Sequence, residues 1–310
     1  MNEDLTQSVR AMLLPGFGVL RISGQDAVSF LQGQFTNDVK LLADGRTQVA
    51  ACCSNQGRVI AIVRFRQTDE AIYALLPADL LGRLATHLRK FVLRAKVELL
   101  QAADLQVGAI LTGDAAAAAV AQDAFDTAAQ TMSPVPLAGS TEVVTFHYAP
   151  GREVVAAPPA AWRAISGLTF NRTDPRAEAQ WLASDIAAGL PHVFAVTSEQ
   201  FTPQMLNVDL VGGVSFTKGC YTGQEIVART HHLGRVKRRT MRFVVADDGA
   251  APAPLSNLLL DGAKVADLLM TAPTADGTEL LAVTNLDATG KALVTQDGRR
   301  AEPLPLPYEV

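Results

Sequence analysis

Cysteine is scarce in this chain, and its scarcity excludes two kinds of site. The 310 residues include three thiols, at Cys52, Cys53 and Cys220. An odd number with two adjacent members makes a poor disulfide framework, which indicates a reducing and therefore cytoplasmic compartment. Three thiols are also too few for an iron–sulfur cluster of the usual four-cysteine kind. The 5 histidines lack zinc spacing, so we expect no metal site.

Long apolar runs and a surplus of positive charge are missing as well. No segment approaches the roughly 20 apolar residues of a membrane helix, so we expect no membrane partner. The formal net charge of -4 gives no general attraction to nucleic acid, and any anion site must be local. The opening residues, MNEDLTQSVR, lack the order of a signal peptide.

The composition is that of a globular protein, with 48% hydrophobic residues. Alternating and helical apolar patterns follow one another through the first two thirds, which predicts an α+β region with a mostly antiparallel sheet. An alanine-rich run after Asp114 predicts one of its helices. Beyond Gly234, short strands separated by turns predict a small all-β barrel or sandwich from about residue 236.

The segment SFTKGCYTGQEIVART, residues 215–230, contains the third cysteine. Thr222 and Glu225 have the spacing of a capping box, which predicts a helix N-terminus there. Cys220 would then lie just before that helix, with Lys218 beside it. The helix dipole and the lysine would both lower the pKa of the thiol and make it reactive. A partly buried cysteine that packs under the helix is the equally weighted alternative.

Several cations lie in or just after this segment. They are Arg229, Arg235, Lys237, Arg238, Arg239 and Arg242. A solvated strand face is the usual meaning of such a cluster. The alternative is an anion site for a polyglutamate tail, a phosphate or an RNA backbone.

The sequence FTKGCYTGQEIVARTHHLGRVKRR resembles the signature Lys-Gly-Cys-Tyr-x-Gly-Gln-Glu of the YgfZ family. These proteins are folate-binding relatives of the T-protein (aminomethyltransferase) of the glycine cleavage system. The matching positions are Lys218, Gly219, Cys220, Tyr221, Gly223, Gln224 and Glu225. The segments FLQGQFTNDV (30–39) and QWLASDIAAGLPHV (180–193) resemble further family motifs. The resemblance covers nearly the whole chain and is weakest over 104–165 and 245–300.

The resemblance implies a fold and a ligand. Family members consist of three small domains closed into a ring around a folate-binding channel. We therefore expect a folate-binding region of two interleaved α+β subdomains over residues 1–235 and a C-terminal β-barrel over residues 236–310. The expected cofactor is tetrahydrofolate or a one-carbon derivative.

The resemblance also implies residues that bind the cofactor. Phe17 and Trp181 correspond to two aromatic residues that lie against folate in bacterial members, although the family usually has tryptophan at the first position. Aromatic faces suit the flat pterin ring. Further contacts are expected from Tyr221, Gly223, Gln224 and Arg229.

The expected chemistry centres on Cys220, with Lys218 and Glu225 setting its ionisation and geometry. In the T-protein, an acidic pair supplies the carboxylate for aminomethyl transfer to tetrahydrofolate. Ala61 and Ile62 stand at the equivalent positions here, and neither can exchange a proton. We therefore do not expect T-protein activity, and whether the chain is an enzyme stays open.

Three functions follow from the resemblance. The first is a tetrahydrofolate-dependent accessory factor that maintains iron–sulfur enzymes, including the enzyme that methylthiolates tRNA. The second is another one-carbon transferase, with Glu225 or Asp209 as base. The third is a scaffold that binds folate and RNA without catalysis. Its RNA contacts would come from Arg235, Lys237, Arg238 and Arg239.

Overall fold

The computed structural model describes residues 9–112, 143–149, 151–164, 169–171, 175–232, 234–246 and 249–310. The helix predicted after Asp114 lies outside these ranges. The described chain mixes helices and strands, and the α+β prediction is confirmed. Of the described helices, none is both long and apolar enough to cross a bilayer.

The bounds of the strands and helices are as follows. The strands are β1 (Val9–Leu13), β2 (Phe17–Ser23), β3 (Gln48–Cys53), β4 (Val59–Gln67), β5 (Ile72–Pro77), β6 (Glu98–Gln101), β7 (Gln106–Thr112), β8 (Val144–Ala149), β9 (Arg152–Ala157), β10 (Thr169–Asn171), β11 (Arg238–Val245), β12 (Asn257–Leu260), β13 (Ala263–Thr274), β14 (Gly277–Asn285), β15 (Leu293–Thr295) and β16 (Arg300–Leu304). The α-helices are α1 (Ala27–Gln32), α2 (Leu81–Val92), α3 (Pro159–Ala164), α4 (Pro175–Ala187) and α5 (Gln224–His232). Short 3-10 helices span Val39–Asp44, Ala78–Leu80 and Leu286–Ala288.

The described strands before the barrel form two five-stranded sheets. The first sheet has the strand order β3-β4-β5-β2-β6, and the second has the order β10-β1-β7-β9-β8. The pairing of β1 with β10 is parallel, whereas both sheets are otherwise built from antiparallel pairs. The mostly antiparallel sheet that the sequence predicted is therefore present twice.

Both faces of the first sheet are covered, which explains why β4 is buried from its first residue through Phe65. One face packs against α2 and against barrel side chains such as Leu281. The other face, which includes Leu75, shares a core with Val154 of the second sheet. A strand covered on both faces takes an almost continuous apolar run, here VIAIV.

A closed six-stranded barrel forms the C-terminal part, in the order β11-β14-β13-β12-β15-β16. β11 closes it by pairing with β16, for example Phe243 with Pro303. The predicted C-terminal barrel is therefore confirmed. Because its first strand begins at Arg238, we propose that the chain divides into a region over residues 1–235 and a barrel domain over residues 236–310.

Candidate functional site

Cys220 lies in the turn that leads into α5, and its side chain is exposed. Cys52 and Cys53 are instead buried in β3. Burial raises the pKa of the Cys53 thiol to about 12 and raises the pKa of Cys52 as well. Cys220 is therefore the thiol placed to meet a ligand or a partner, and packing beneath the helix is excluded.

The residues of the predicted capping box make other bonds. Thr222 Oγ1 lies 3.3 Å from Gln34 Oε1, and the Thr222 N–H donates to the Gly33 carbonyl oxygen over 3.1 Å. The capping-box prediction is wrong because the polar groups of Thr222 are used by the chain that follows α1. Glu225 pairs with Arg229 over 2.9 Å, and both side chains are largely exposed.

Lys218 is buried, with 8% of its surface exposed. Its Nζ donates to the carbonyl oxygens of Gln32, Phe35 and Asn37 over 2.8, 2.6 and 2.7 Å. Burial lowers the pKa of Lys218 to about 8, and Asp38 opposes this shift. An ammonium has three donors, and these bonds use them all. The expectation that Lys218 sets the ionisation of the thiol is therefore corrected: the lysine anchors the segment.

Two glycines let the cysteine segment lie against the turn between β3 and β4. Gly223 has φ of 82°, and a Cβ at this position would lie 2.4 Å from the Ser54 carbonyl oxygen. Gly57, in the β-turn, would carry its Cβ 2.8 Å from the Ile226 side chain. Tyr221 is buried beside this contact, with Lys218 Nζ 5.1 Å from its ring centroid. The segment is thus fixed on both sides of Cys220.

The predicted basic patch is largely neutralised by barrel and loop carboxylates. The pairs are Arg238 with Asp267, Arg239 with Asp209, and Arg242 with Glu279. Arg239 binds both oxygens of Asp209, over 2.6 and 2.9 Å, so the proposed base is already engaged. Arg238 and Arg239 therefore already have carboxylate partners, which reduces the charge that they offer to RNA. Arg235 and Lys237 are exposed.

A cleft between the two five-stranded sheets forms a second candidate site. It encloses about 360 Å³ of atom-free space, part of it open to solvent. Its lining residues are Phe17, Val49, Ile62, Val63, Arg64, Leu75, Leu76, Tyr148, Leu190, Pro191, His192, Val208 and Val211. Phe17, an expected folate contact, is thus placed at the cleft. Ile62 lines it too, so an apolar side chain occupies the position that the sequence comparison equates with an acid of the T-protein.

Trp181, the second expected aromatic contact, lies behind the cleft. It exposes 1% of its surface, and its ring meets Tyr148 edge-on with the centroids 5.0 Å apart. The Arg152 guanidinium lies 4.4 Å from the Trp181 ring. Tyr148 therefore lines the cleft, and Trp181 contacts it from behind without being among the lining residues.

Buried charges support one wall of the cleft. Asp185 lies 2.6 Å from Arg152 Nη2 and 2.7 Å from His192 Nε2. Burial acts to raise the pKa of Asp185, but Arg152, His192 and Arg64 together hold it below its ordinary value. Asp185 is therefore an ionised carboxylate at neutral pH. Because His192 lines the cleft, this network fixes part of its surface.

Arg64 brings a positive charge directly to the cleft. It exposes 7% of its surface, and its guanidinium carbon lies 3.7 Å from the centroid of the Tyr148 ring. Burial raises the pKa of Tyr148 to about 12, although Arg64 partly opposes this shift. The phenol is therefore neutral, and the Arg64 guanidinium lies over its ring.

Known proteins resemble this chain in sequence, although a scan against models of protein families finds no match. The "tRNA-modifying protein YgfZ" of Hamiltonella defensa subsp. Acyrthosiphon pisum is 34% identical over 232 residues, which cover 73% of this chain and 67% of that protein. The protein of the same name from Colwellia psychrerythraea is 33% identical, over 73% of this chain and 68% of its own. This chain belongs to the YgfZ family. The Enterobacter relative, 28% identical, covers 96% of this chain and 92% of its own.

The fold agrees with this membership. Aminomethyltransferase T of the glycine cleavage system from Bartonella henselae superposes with a TM-score of 0.72 over 97% of this chain and 86% of its own. The two sequences are 14% identical, so the likeness concerns the fold. The T-protein-like fold expected for a YgfZ member is confirmed.

The YgfZ signature and the cleft are separate places in the described part of the chain. No signature residue is among those that line the cleft. Sequence reasoning also missed four cleft or supporting residues: Arg64, Tyr148, Asp185 and His192. A signal existed for Arg64, since a charge within the apolar run VIAIVRF is unusual in a buried strand.

Proposed function

We propose that this YgfZ family member binds a reduced folate in the cleft and supports tRNA modification through the exposed thiol of Cys220. In this proposal the protein is an accessory factor that maintains iron–sulfur enzymes, among them the tRNA methylthiotransferase. Three facts support the proposal: the family, the composition of the cleft, and the exposure of this one thiol.

The cleft carries the folate proposal. Its walls are mostly apolar, and two aromatic side chains, Phe17 and Tyr148, line it. A flat conjugated ring is suited to aromatic and apolar walls. A reduced folate, when bound, supplies a carrier for one-carbon units.

The cleft lacks an acid at the position that the T-protein reaction uses. Ile62 lines the cleft at this position, and Ala61 is fully buried on the opposite side of the strand. Asp185 is held by Arg152 and His192, so it cannot readily take a proton at neutral pH. We therefore assign binding, and not aminomethyl transfer, to the cleft.

Cys220 is assigned the chemistry or the partner contact. Its neighbours Lys218 and Tyr221 are buried anchors that hold the segment, whereas the thiol itself faces outward. Glu225 and Arg229, next to it on α5, form an exposed ion pair that a partner could meet. We place the protein in the cytoplasm, with any RNA contact weak and limited to Arg235 and Lys237.

A binding titration with tetrahydrofolate tests the ligand. Saturable one-to-one binding is expected, and Phe17→Ala should weaken it at least about fivefold because a stacking surface is lost. Phe216→Ala is the matched control, since Phe216 stacks on His231 outside the cleft with ring centroids 3.6 Å apart. A wild-type protein that binds no reduced folate would contradict the proposal.

A complementation experiment tests the thiol. In cells lacking this protein, Cys220→Ala should fail to restore methylthiolated tRNA, measured by mass spectrometry of nucleosides, while folate binding in vitro persists. Thr217→Ala, a nearby exposed change, should restore it fully. Full restoration by Cys220→Ala would remove the thiol from the proposal.

A further inference from the structure

His192 lies in the wall of the cleft and has one ring nitrogen without a partner. The residue is buried, and its Nε2 is 2.7 Å from Asp185 Oδ2. Its Nδ1 makes no hydrogen bond among the described residues, and this nitrogen is not sealed from solvent. Because His192 lines the cleft, Nδ1 is reached from there.

Asp185 decides which ring nitrogen carries the proton. Its Oδ1 accepts a hydrogen bond from Arg152 Nη2 over 2.6 Å. Although burial acts to raise the pKa of Asp185, Arg152 and His192 hold it below the ordinary 3.8. An ionised carboxylate can only accept, so its bond to His192 needs a proton on Nε2. In the neutral imidazole Nδ1 therefore has a lone pair.

The charges around this pair favour a neutral group at Nδ1. Arg152, on β9, binds Asp185 directly, and Arg64, on β4, acts on Asp185 through its charge. Tyr148, on β8, is uncharged because burial raises its pKa to about 12. Two arginines in these surroundings disfavour a cationic ligand, since like charges repel. A neutral O–H or N–H donor therefore suits Nδ1.

The enclosed part of the cleft limits the size of that donor. It offers room for about one water molecule. The Phe17 ring meets the His192 ring edge-on, with the centroids 5.1 Å apart, and Leu190 and Pro191 line the same cleft. Water is the donor that fits this space without a rearrangement of the walls.

We propose that Asp185 and His192 form a proton-accepting site in the cleft, in which His192 Nδ1 binds a water molecule. Asp185 is the positioning residue, and Nδ1 is the atom that contacts the ligand. An imidazole oriented in this way by a carboxylate is the arrangement of a general base. The site goes beyond folate binding and does not depend on it.

Nitrogen NMR of protein labelled in its histidines tests the tautomer, because protonated and bare ring nitrogens have well-separated signals. At about pH 8, above the ordinary imidazole range, the Nε2–H form of wild-type His192 should exceed the Nδ1–H form. The excess should be at least about tenfold, as expected for a hydrogen bond to a charged acceptor. His192→Asn assigns the signal by removing it. A wild-type signal that is mainly Nδ1–H would overturn the proposal.

Asp185→Asn should reverse the tautomer of His192. A guanidinium can only donate, so the oxygen of the new amide should stay with Arg152 and its NH₂ should face Nε2. Nε2 must then accept, and the proton moves to Nδ1. Asp267→Asn is the matched control: it changes a carboxylate that pairs with Arg238 in the barrel and should leave His192 as it is. An unchanged tautomer in Asp185→Asn would show that Asp185 does not set it, contrary to the proposal.

A second measurement on the wild type decides the matter if Asp185→Asn does not fold. A high-resolution crystal structure should show a water about 3 Å from His192 Nδ1. An empty position beside Nδ1, or a protein donor bound to it, would contradict the site. A protein that binds no tetrahydrofolate but shows this tautomer and this water would lose the proposed function and keep the site, so the two failures can be told apart.

Discussion

The Lys218 ammonium donates to the Phe35 carbonyl oxygen over 2.6 Å and so ties the cysteine segment to the chain after α1, across 183 positions of sequence. Two more carbonyl oxygens share this cation. The bond makes Lys218 the anchor of the segment that presents Cys220. Several measurable properties of the protein depend on that arrangement and on the charges of the cleft.

Lys218→Met should destabilise the fold by roughly 2–4 kcal/mol, because it leaves buried carbonyl oxygens without their charged donor. Urea unfolding followed by circular dichroism measures this free energy. Lys237→Met, at an exposed lysine, is the control and should change it by less than about 0.5 kcal/mol. Equal stability of the two variants would show that the three carbonyl bonds contribute nothing.

The glycines on either side of Cys220 should differ sharply in their tolerance of alanine. Gly223→Ala should cost roughly 2 kcal/mol or more, since the residue has φ of 82° and its Cβ would lie 2.4 Å from the Ser54 carbonyl oxygen. Gly219→Ala meets nothing within 4 Å and should stay close to wild type. Thermal unfolding of both variants measures the contrast. A tolerant Gly223 would contradict the described packing of the turn.

Thiol reactivity should distinguish Cys220 from the other two cysteines. A chromogenic disulfide reagent should modify one thiol per native chain and three after unfolding, because Cys52 and Cys53 are buried. Cys220→Ala should remove the fast native reaction and leave the slow one. Fast modification of more than one thiol in the native wild type would contradict the burial of β3.

Asp185 should make stability depend on acid pH. Its folded pKa lies below the ordinary 3.8, so its contribution is complete above that value and is lost as pH falls through the lower folded pKa. Asp185→Asn should cost roughly 3–5 kcal/mol at pH 7, since Arg152 loses its buried partner.

The cost of Asp185→Asn should shrink below pH 3.8, where the unfolded wild type also takes up a proton. Urea unfolding of the two proteins at several pH values gives the difference directly. A cost that is constant down to pH 3 would show that the charge of Asp185 is not what stabilises the wall of the cleft.

The sequence predicted more of the fold than of the candidate site. The barrel after Gly234 is local in sequence, and its short strands and turns are visible as a pattern. The surroundings of Lys218 are not local: its three partners come from the last residue of α1 and the chain that follows it. Sequence neighbourhood suggested a lysine beside a thiol, whereas the fold turns the two side chains to different environments.

The residues of the cleft, too, could be predicted from the sequence only in part. Phe17 could be named because a family motif covers it, but the partner expected for it, Trp181, lies one layer behind Tyr148. Only the packing of the two sheets decides which aromatic ring reaches the cleft. Arg64 carried a sequence signal, a charge in an apolar strand, but only the structure shows that Asp185 pairs with Arg152 and His192 instead.

The closure of the barrel limits how this end of the molecule can associate. Each of its six strands already has a neighbour on both sides, including β11 and β16 at the seam. Among the described barrel strands, an incoming chain therefore finds no strand that lacks a neighbour on one whole side, the kind of edge by which exposed sheets polymerise. Contacts between the barrel and a partner must therefore be made by side chains and turns. This portion of the protein should resist fibril growth even at high concentration.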